Sequence, residues 1–192
     1  MIVKSLFFLF LYRKLADMKK IIISLLLALP ILLQAQLIKT LKKTIELQMP
    51  GIAHPSKLTG KDSLPGKRGA AVAWHPLQKK YYAAFAGNTT FPLAVFDISG
   101  KHLSSDDLMT MEDLRGLWYN PKLKKLCGNA YSDYGWFSYI LDSNGIPVKI
   151  EVYAEGMNQP DKQSIGAYNE KSNLVCFLNG TKIEMYNAEA MM

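Results

Sequence analysis

The chain has 192 residues, 49% of them hydrophobic and 20% charged, with a formal net charge of +7. Five of its 23 basic residues and one of its 16 acidic residues precede residue 36, which leaves 18 basic against 15 acidic residues in the remainder. More than half of the basic excess therefore lies in the N-terminal segment. Neither a basic stripe nor a recognition motif is present to predict nucleic-acid binding.

The first predicted element is a helical secretory signal peptide within residues 1–35. Met18 is the better candidate start, because two lysines follow it and precede a mostly apolar run over residues 21–33. Ala35 is the small residue expected near the cleavage position. The apolar run is short and contains a proline, so a permanent membrane anchor is the less favoured alternative. We expect a secreted or periplasmic protein with no stable membrane span after cleavage.

Residues 36–66 are predicted to form a linker with one edge strand. That strand is expected over residues 43–49, where hydrophilic and apolar side chains alternate as on a half-buried strand. By position along the chain, it would be the outer strand of a blade whose inner strands lie elsewhere.

A short phrase returns at a fixed interval in the rest of the chain. Asp97 and Asp142 are 45 residues apart, Asn187 follows after another 45, and Pro76 and Pro121 are also 45 apart. A repeat of this period with strand-like content is typical of β-propeller blades. We therefore predict an all-β fold, a partial β-propeller of about three four-stranded antiparallel blades. The blades are expected at about residues 67–110, 111–160 and 161–192.

The repeats also predict individual strands. In the first copy, strands are expected at residues 70–74, 80–86, 93–97 and 101–103. In the third copy, residues 175–186 are predicted to form a hairpin with Asn179 and Gly180 in a type I′ turn. A β-sandwich is the alternative fold, although it does not require phrases at equal spacing.

Several polar residues are predicted to be structural. Asp97, Asp142 and Asn187 each end a third strand, where their side chains can bind the backbone of the following turn. His75 aligns with an asparagine in each of the other two copies, so it too is predicted to be a turn residue. Cys127 and Cys176 hold equivalent positions and are expected to be buried free thiols, with a disulfide as the alternative.

No catalytic or metal-binding motif is recognised. The spacings of the three histidines fit no zinc motif, and the chain contains no nucleophile elbow or phosphate loop. We therefore predict no catalytic residue, no metal and no cofactor.

A family resemblance is carried by small, aromatic and turn positions of the repeats. These positions are Gly69, Pro76, Tyr81, Tyr82, Ala83, Ala84, Val95, Phe96, Asp97 and Gly100. Their pattern resembles that of exported bacterial β-propellers with NHL-like and YVTN-like repeats, over about residues 67–187. The resemblance implies a scaffold and no particular activity.

Three blades cannot close a ring. We therefore expect a fragment of a six- to eight-bladed protein, with a ring of several copies as the alternative. The open blade edges also make self-association an expectation.

Candidate ligand-binding residues lie in loops. Two arginines directly before the first strands of blades could hold an anionic ligand or a carbohydrate acid, unless they pair with the nearby carboxylates of Asp62, Glu112 or Asp113. Aromatic residues in a later loop suit stacking on a sugar or clasping a peptide, with packing between blades as the alternative. The candidates are Arg68, Arg115, Asn88, Asp133, Tyr134 and Trp136.

Two functions remain open. The favoured one is a secreted, non-catalytic binding or assembly module whose partner is an extracellular glycan, peptide or protein. The alternative is a truncated propeller hydrolase or lactonase whose catalytic residues lie outside this chain.

Overall fold

The computed structural model describes residues 42–49 and 70–189. These residues form ten β-strands and no helix, so the prediction of an all-β fold is confirmed for them. The chain divides between Lys43 and Thr44, and all ten strands belong to the second unit. Among the described residues, none forms a helix long and apolar enough to cross a membrane. The predicted signal peptide and most of the linker lie outside the described residues.

The strands form three antiparallel sheets in which each strand pairs with its neighbour in the chain. Sheet 1 contains β1 (Ala70–His75), β2 (Lys80–Phe85) and β3 (Leu93–Asp97). Sheet 2 contains β4 (Leu114–Asn120), β5 (Lys125–Ala130), β6 (Trp136–Leu141) and β7 (Pro147–Ala154). Sheet 3 contains β8 (Ala167–Asn169), β9 (Leu174–Asn179) and β10 (Lys182–Asn187).

The turn between the first and second strands is built the same way in every sheet. The Nδ1 atom of His75 accepts a hydrogen bond from the backbone N–H of Gln78 at 3.3 Å. In sheets 2 and 3, Oδ1 of Asn120 and of Asn169 accepts from backbone N–H groups two and three residues ahead. The predicted turn role of His75 is therefore confirmed.

The recurring phrase closes the third strands as predicted. Oδ1 of Asp97 accepts from the N–H of Ser99 at 2.8 Å, and Oδ1 of Asp142 accepts from that of Asn144 at 2.9 Å. Asn187 makes the same bond two residues ahead, at 3.0 Å. A side chain that binds its own backbone in this way stabilises the turn.

The expected fourth strand of the first copy is absent from the structure. Residues 101–103 contribute only an isolated bridge, Phe96 to His102. The ladder ends there because the backbone N–H of Val95 donates to the hydroxyl of Ser104 at 3.1 Å instead of to a strand carbonyl. Among the described residues, sheets 1 and 3 have three strands and sheet 2 has four, so the predicted four-stranded blade is found in sheet 2 and not in the first copy.

Two local predictions also need correction. Residues 42–49 do not form a strand; instead, Leu47 and Met49 pack their side chains on the outer face of sheet 1. The hairpin of sheet 3 is present, but Asn179 pairs with Lys182, so Gly180 and Thr181 are the two loop residues. Only Gly180 has a positive φ, 58°, which fits a type II′ turn, whereas type I′ needs two such residues.

The sheets pack face to face through two apolar cores. Tyr82, Leu93 and Val95 of sheet 1 pack against Leu126 and other residues of sheet 2. A second core joins sheet 2 to sheet 3. Its buried side chains include Trp118, Cys127, Trp136, Val175 and Phe177. The first strands β1 and β4 lie next to each other, as do β4 and β8. The segments before β4 and β8 and the loops between the middle strands therefore lie at one end of the sheets.

Candidate functional site

A cleft of about 490 Å³ opens among these loops. Its lining comes from the β2–β3 connection, from the residues directly before β4, and from the β5–β6 connection. The lining residues are Gly87, Asn88, Thr89, Glu112, Asp113, Tyr131 and Tyr134. This volume lies within the range of small-molecule sites, and its mixture of aromatic and polar groups is typical of them. The cleft brings together two predicted site residues, Asn88 and Tyr134.

Asn88 is held in the cleft wall by a short turn. Its Oδ1 accepts from both the backbone N–H and the hydroxyl of Thr90, each at 3.0 Å. Its backbone carbonyl accepts from the hydroxyl of Thr110 at 2.8 Å, which ties the β2–β3 connection to the segment before β4. The side chain of Asn88 is thus positioned by local backbone geometry and presents a fixed amide to the cleft.

Arg115 lies behind the cleft instead of lining it. Its side chain is only 8% exposed and forms an ion pair with Asp113 through two nitrogens. Its Nε donates to Oε1 of Gln163 at 2.8 Å, and one terminal nitrogen donates to the carbonyl of Leu114 at 3.0 Å. A buried guanidinium needs partners of this kind to offset its lost hydration. The sequence-based alternative, pairing with Asp113, is what the structure shows.

Two tyrosines supply the aromatic surface of the cleft. The guanidinium carbon of Arg115 lies 4.7 Å from the ring centre of Tyr131, close enough for a cation–π contact. The backbone N–H of Tyr134 donates to the carbonyl of Tyr131 at 3.3 Å, and the Tyr134 side chain is 59% exposed. Tyr131 is therefore fixed from behind, while Tyr134 projects into solvent at the rim.

Gly135 sets the path of the loop that carries Tyr134. Its φ is +86°, and a Cβ there would overlap the carbonyl oxygen of Ala154 at the end of β7. Its own carbonyl accepts from the N–H of Ala130 at 2.9 Å, which closes the loop. Only glycine combines this conformation with such close backbone contact.

The other predicted site residues lie away from the cleft lining. Trp136 is 2% exposed and packs edge-on against Trp118, with ring centres 5.7 Å apart, so its ring is a core element between sheets 2 and 3. This is the packing alternative that the sequence left open. Asp133 is exposed but does not line the cleft. Arg68 lies outside the described residues.

Glu112 and Tyr131 are lining residues that the sequence reasoning did not select for ligand binding. Tyr131 immediately follows β5, and Glu112 precedes β4 by two residues. The β2–β3 and β5–β6 connections are longer than the two-residue β9–β10 turn, and this difference could have directed attention to Tyr131. The spacing of residues between the repeats does not distinguish Glu112 from an ordinary surface carboxylate.

The described residues contain no group of three or more histidine, cysteine, aspartate or glutamate side chains able to hold a metal ion. His75 is buried in its turn, with its ring centre 4.4 Å from that of Tyr119. Burial lowers the pKa of His75 because it disfavours the charged imidazolium. His75 is thus a neutral turn residue near neutral pH.

The two cysteines are free thiols, Cys127 buried and Cys176 half-buried. Burial raises the pKa of Cys127 to about 12, which makes it a poor nucleophile and a small apolar core residue.

Comparison with known proteins assigns the chain to no group: no protein-family model matches it, and no curated protein matches it either.

Proposed function

We propose that the protein is a secreted, non-catalytic binding module, and that its cleft binds an uncharged glycan. The three sheets are interpreted as blades of a β-propeller. Their equivalent turns, their face-to-face packing and their neighbouring first strands support this interpretation. The single observation that carries the binding function is the cleft that Asn88 and Tyr134 line together.

The chemistry of the lining favours a sugar. An exposed tyrosine ring such as Tyr134 can stack on the C–H face of a pyranose, and its hydroxyl can remain in water. The amide of Asn88 and the carboxylate of Glu112 are planar groups that can hydrogen-bond to sugar hydroxyls in fixed directions. Tyr134, Asn88 and Glu112 belong to three separate chain segments, so a bound ligand would be contacted from several sides.

The charge of the lining argues against the anionic ligand that the sequence suggested. Arg115 is committed to Asp113 and buried, so its charge is offset before any ligand arrives. Glu112 remains as an acidic group on the lining, and the lining residues include no lysine or arginine. Burying an acidic sugar beside Glu112 would cost free energy through like-charge repulsion.

The test is titration calorimetry of the full chain with two probes, a neutral β-linked glucan tetrasaccharide and an acidic oligogalacturonide. We expect the neutral probe to bind more tightly. Tyr134→Ala should weaken its binding by about fivefold, since a stacking contact contributes on the order of 1 kcal/mol. Tyr134→Phe keeps the ring and should stay within a few-fold of the parent. Equal binding by Tyr134→Ala, or preference for the acidic probe, would contradict the proposal.

A further inference from the structure

A groove of about 500 Å³ runs along the first strands of the three sheets. Its lining comes from β1, β4 and β8 and from residues next to the ends of β1 and β8. Among the described residues, the groove and the cleft have no lining residue in common. The volume lies within the range of small-molecule sites. The groove is therefore a second candidate site, separate from the one proposed to bind a glycan.

The repeat places one aromatic ring of each sheet in this groove. Trp74, Tyr119 and Tyr168 are separated by 45 and 49 residues, and each directly precedes the residue whose side chain makes the first turn of its sheet. These equivalent positions lie along the same groove because β1 is next to β4 and β4 is next to β8. All three side chains line the groove and are half-buried. Each of the three strands thus contributes an aromatic group.

Contacts between the sheets hold these rings in place. Tyr119 packs against His75 of sheet 1, with ring centres 4.4 Å apart. Tyr168 stacks on Trp118 of sheet 2 with ring centres 6.3 Å apart, and its hydroxyl donates to Oδ1 of Asn173 at 2.9 Å. Rings that are already ordered lose little conformational entropy when a ligand binds.

The charge of the groove is negative. Among the described residues, Glu170 is the only charged residue of the lining, and it directly follows β8. Burial raises the pKa of the hydroxyls of Tyr119 and Tyr168, and the carboxylate of Glu170 raises both further. The carboxylate therefore acts on both tyrosines of the groove.

We propose that the groove binds a small quaternary ammonium compound of the choline type. The faces of tryptophan and tyrosine rings attract cations, and aromatic surfaces of this kind recognise quaternary ammonium ligands. Glu170 complements the positive charge of such a ligand. The proposal does not depend on glycan binding, because the groove and the cleft involve different residues.

The polar groups of the lining argue against other ligands. A primary ammonium group has three N–H donors that need acceptors once water is removed, whereas the described lining offers the single carboxylate of Glu170. A sugar needs several hydrogen-bonding groups in fixed positions, and the hydroxyl of Tyr168 is already bound to Asn173. A quaternary ammonium group has no N–H donor, so it is attracted by the rings and the carboxylate without leaving a donor unsatisfied.

The test is an NMR titration of the full chain with choline and with its uncharged isostere, in which a tert-butyl group replaces the trimethylammonium group. Choline should shift the signals of Trp74 and Tyr119 in a saturable way. The isostere has the same shape but lacks the cation–π attraction, so it should bind at least about tenfold more weakly. Equal binding of the two probes, or shifts that do not involve the groove, would overturn the proposal.

Variants separate the charge from the rings. Glu170→Gln should weaken choline binding about two- to fivefold, because an exposed ion pair contributes little. The matched control is Glu155→Gln, which removes the same charge from an exposed residue outside the groove and should bind like the parent. Tyr119→Leu should weaken binding about fivefold, whereas Tyr119→Phe keeps the ring and should bind like the parent. Equal binding by Glu170→Gln and Glu155→Gln, or by the two Tyr119 variants, would contradict the assignment.

A last comparison distinguishes a free compound from a lipid. The trimethylammonium group also forms part of the headgroup of phosphatidylcholine, so the parent is tested with phosphatidylcholine vesicles as well. Saturable binding of choline in the absence of lipid supports the proposal. Binding to the vesicles without binding of free choline would assign the groove to a membrane surface and overturn it.

Discussion

The hydroxyl of Tyr82 in β2 donates a hydrogen bond of 2.7 Å to the backbone carbonyl of Gly145, in the turn that follows β6. In the same turn, the carbonyl of Asn144 accepts from Nζ of Lys80 at 2.8 Å. Two side chains of β2, the middle strand of sheet 1, thus hydrogen-bond to the Asx turn that follows β6 in sheet 2. The sequence predicts only a local turn after Asp142, but in the structure this turn also contacts sheet 1.

Tyr82→Phe tests this link between sheets 1 and 2. The change keeps the buried ring and leaves the carbonyl of Gly145 without its partner, so we expect the free energy of unfolding to fall by about 1 to 3 kcal/mol. The control is Tyr81→Phe, a neighbouring tyrosine whose ring packs on Trp74 with centres 4.7 Å apart. Urea denaturation of both variants measures the free energy of unfolding. An equal loss of stability in the two variants would contradict a stabilising role for the hydrogen bond between Tyr82 and Gly145.

Gly100→Ala tests the packing of residues 44–49 on sheet 1. Gly100 has a φ of +88°, and a Cβ there would lie 2.9 Å from the carbonyl oxygen of Glu46. Gly180 also has a positive φ, +58°, but a Cβ there meets nothing within 4 Å. Both alanines carry the backbone strain of about 1 kcal/mol, so Gly100→Ala should be the more destabilising. It should also speed proteolytic cleavage near Leu47, whereas unchanged cleavage would argue against the contact.

Ser99→Ala tests the origin of the Asp97 turn. The hydroxyl of Ser99 and the backbone N–H groups of Ser99 and Lys101 bind the Asp97 carboxylate, and they hold its pKa below the usual value. Because the folded-state pKa is depressed, the resulting stability is present above the unfolded pKa and is lost as pH falls through the folded pKa. Ser99→Ala should raise the pKa of Asp97 in an NMR carboxyl titration. Ser105→Ala serves as the control and should leave that pKa unchanged.

Stability should fall steeply in alkaline solution. Burial raises the pKa of the hydroxyls of Tyr82, Tyr139 and Tyr153, and that of the Cys127 thiol to about 12. The unfolded chain loses these protons near pH 9 to 10 while the folded chain keeps them, so higher pH favours unfolding. Each group contributes about 1.4 kcal/mol per pH unit in that window.

The alkaline prediction is checked with urea unfolding between pH 8 and 11.5. Tyr139→Phe should lower stability near pH 8, because it loses the 2.7 Å hydrogen bond to the carbonyl of Thr110. It should also make the alkaline decline shallower by about 1.4 kcal/mol per pH unit. Tyr134→Phe removes an exposed hydroxyl and should leave the decline as in the parent. Parallel curves for the parent and Tyr139→Phe would refute the explanation.

Much of the strand pattern could be predicted from local signals. The alternation of side chains and the equal spacing of Asp97, Asp142 and Asn187 located the third strands, since the turn they form is made within a few residues of chain. The absence of a fourth strand from the first copy could not be predicted, because the competition between Ser104 and a backbone carbonyl for the N–H of Val95 leaves no trace in residue spacing.

The candidate site divides in the same way. The sequence by itself determined an all-β chain with repeated turns, and it identified Asn88 and Tyr134 as loop residues with binding chemistry. Only the tertiary structure decided that these two share a cleft, that Arg115 is neutralised by Asp113, and that Trp136 is buried in a core. The physical reason is the distance along the chain over which the interactions act, because turns and side-chain alternation depend only on neighbours within a few residues. Burial and charge pairing depend on which sheet faces meet, and sequence spacing does not encode that.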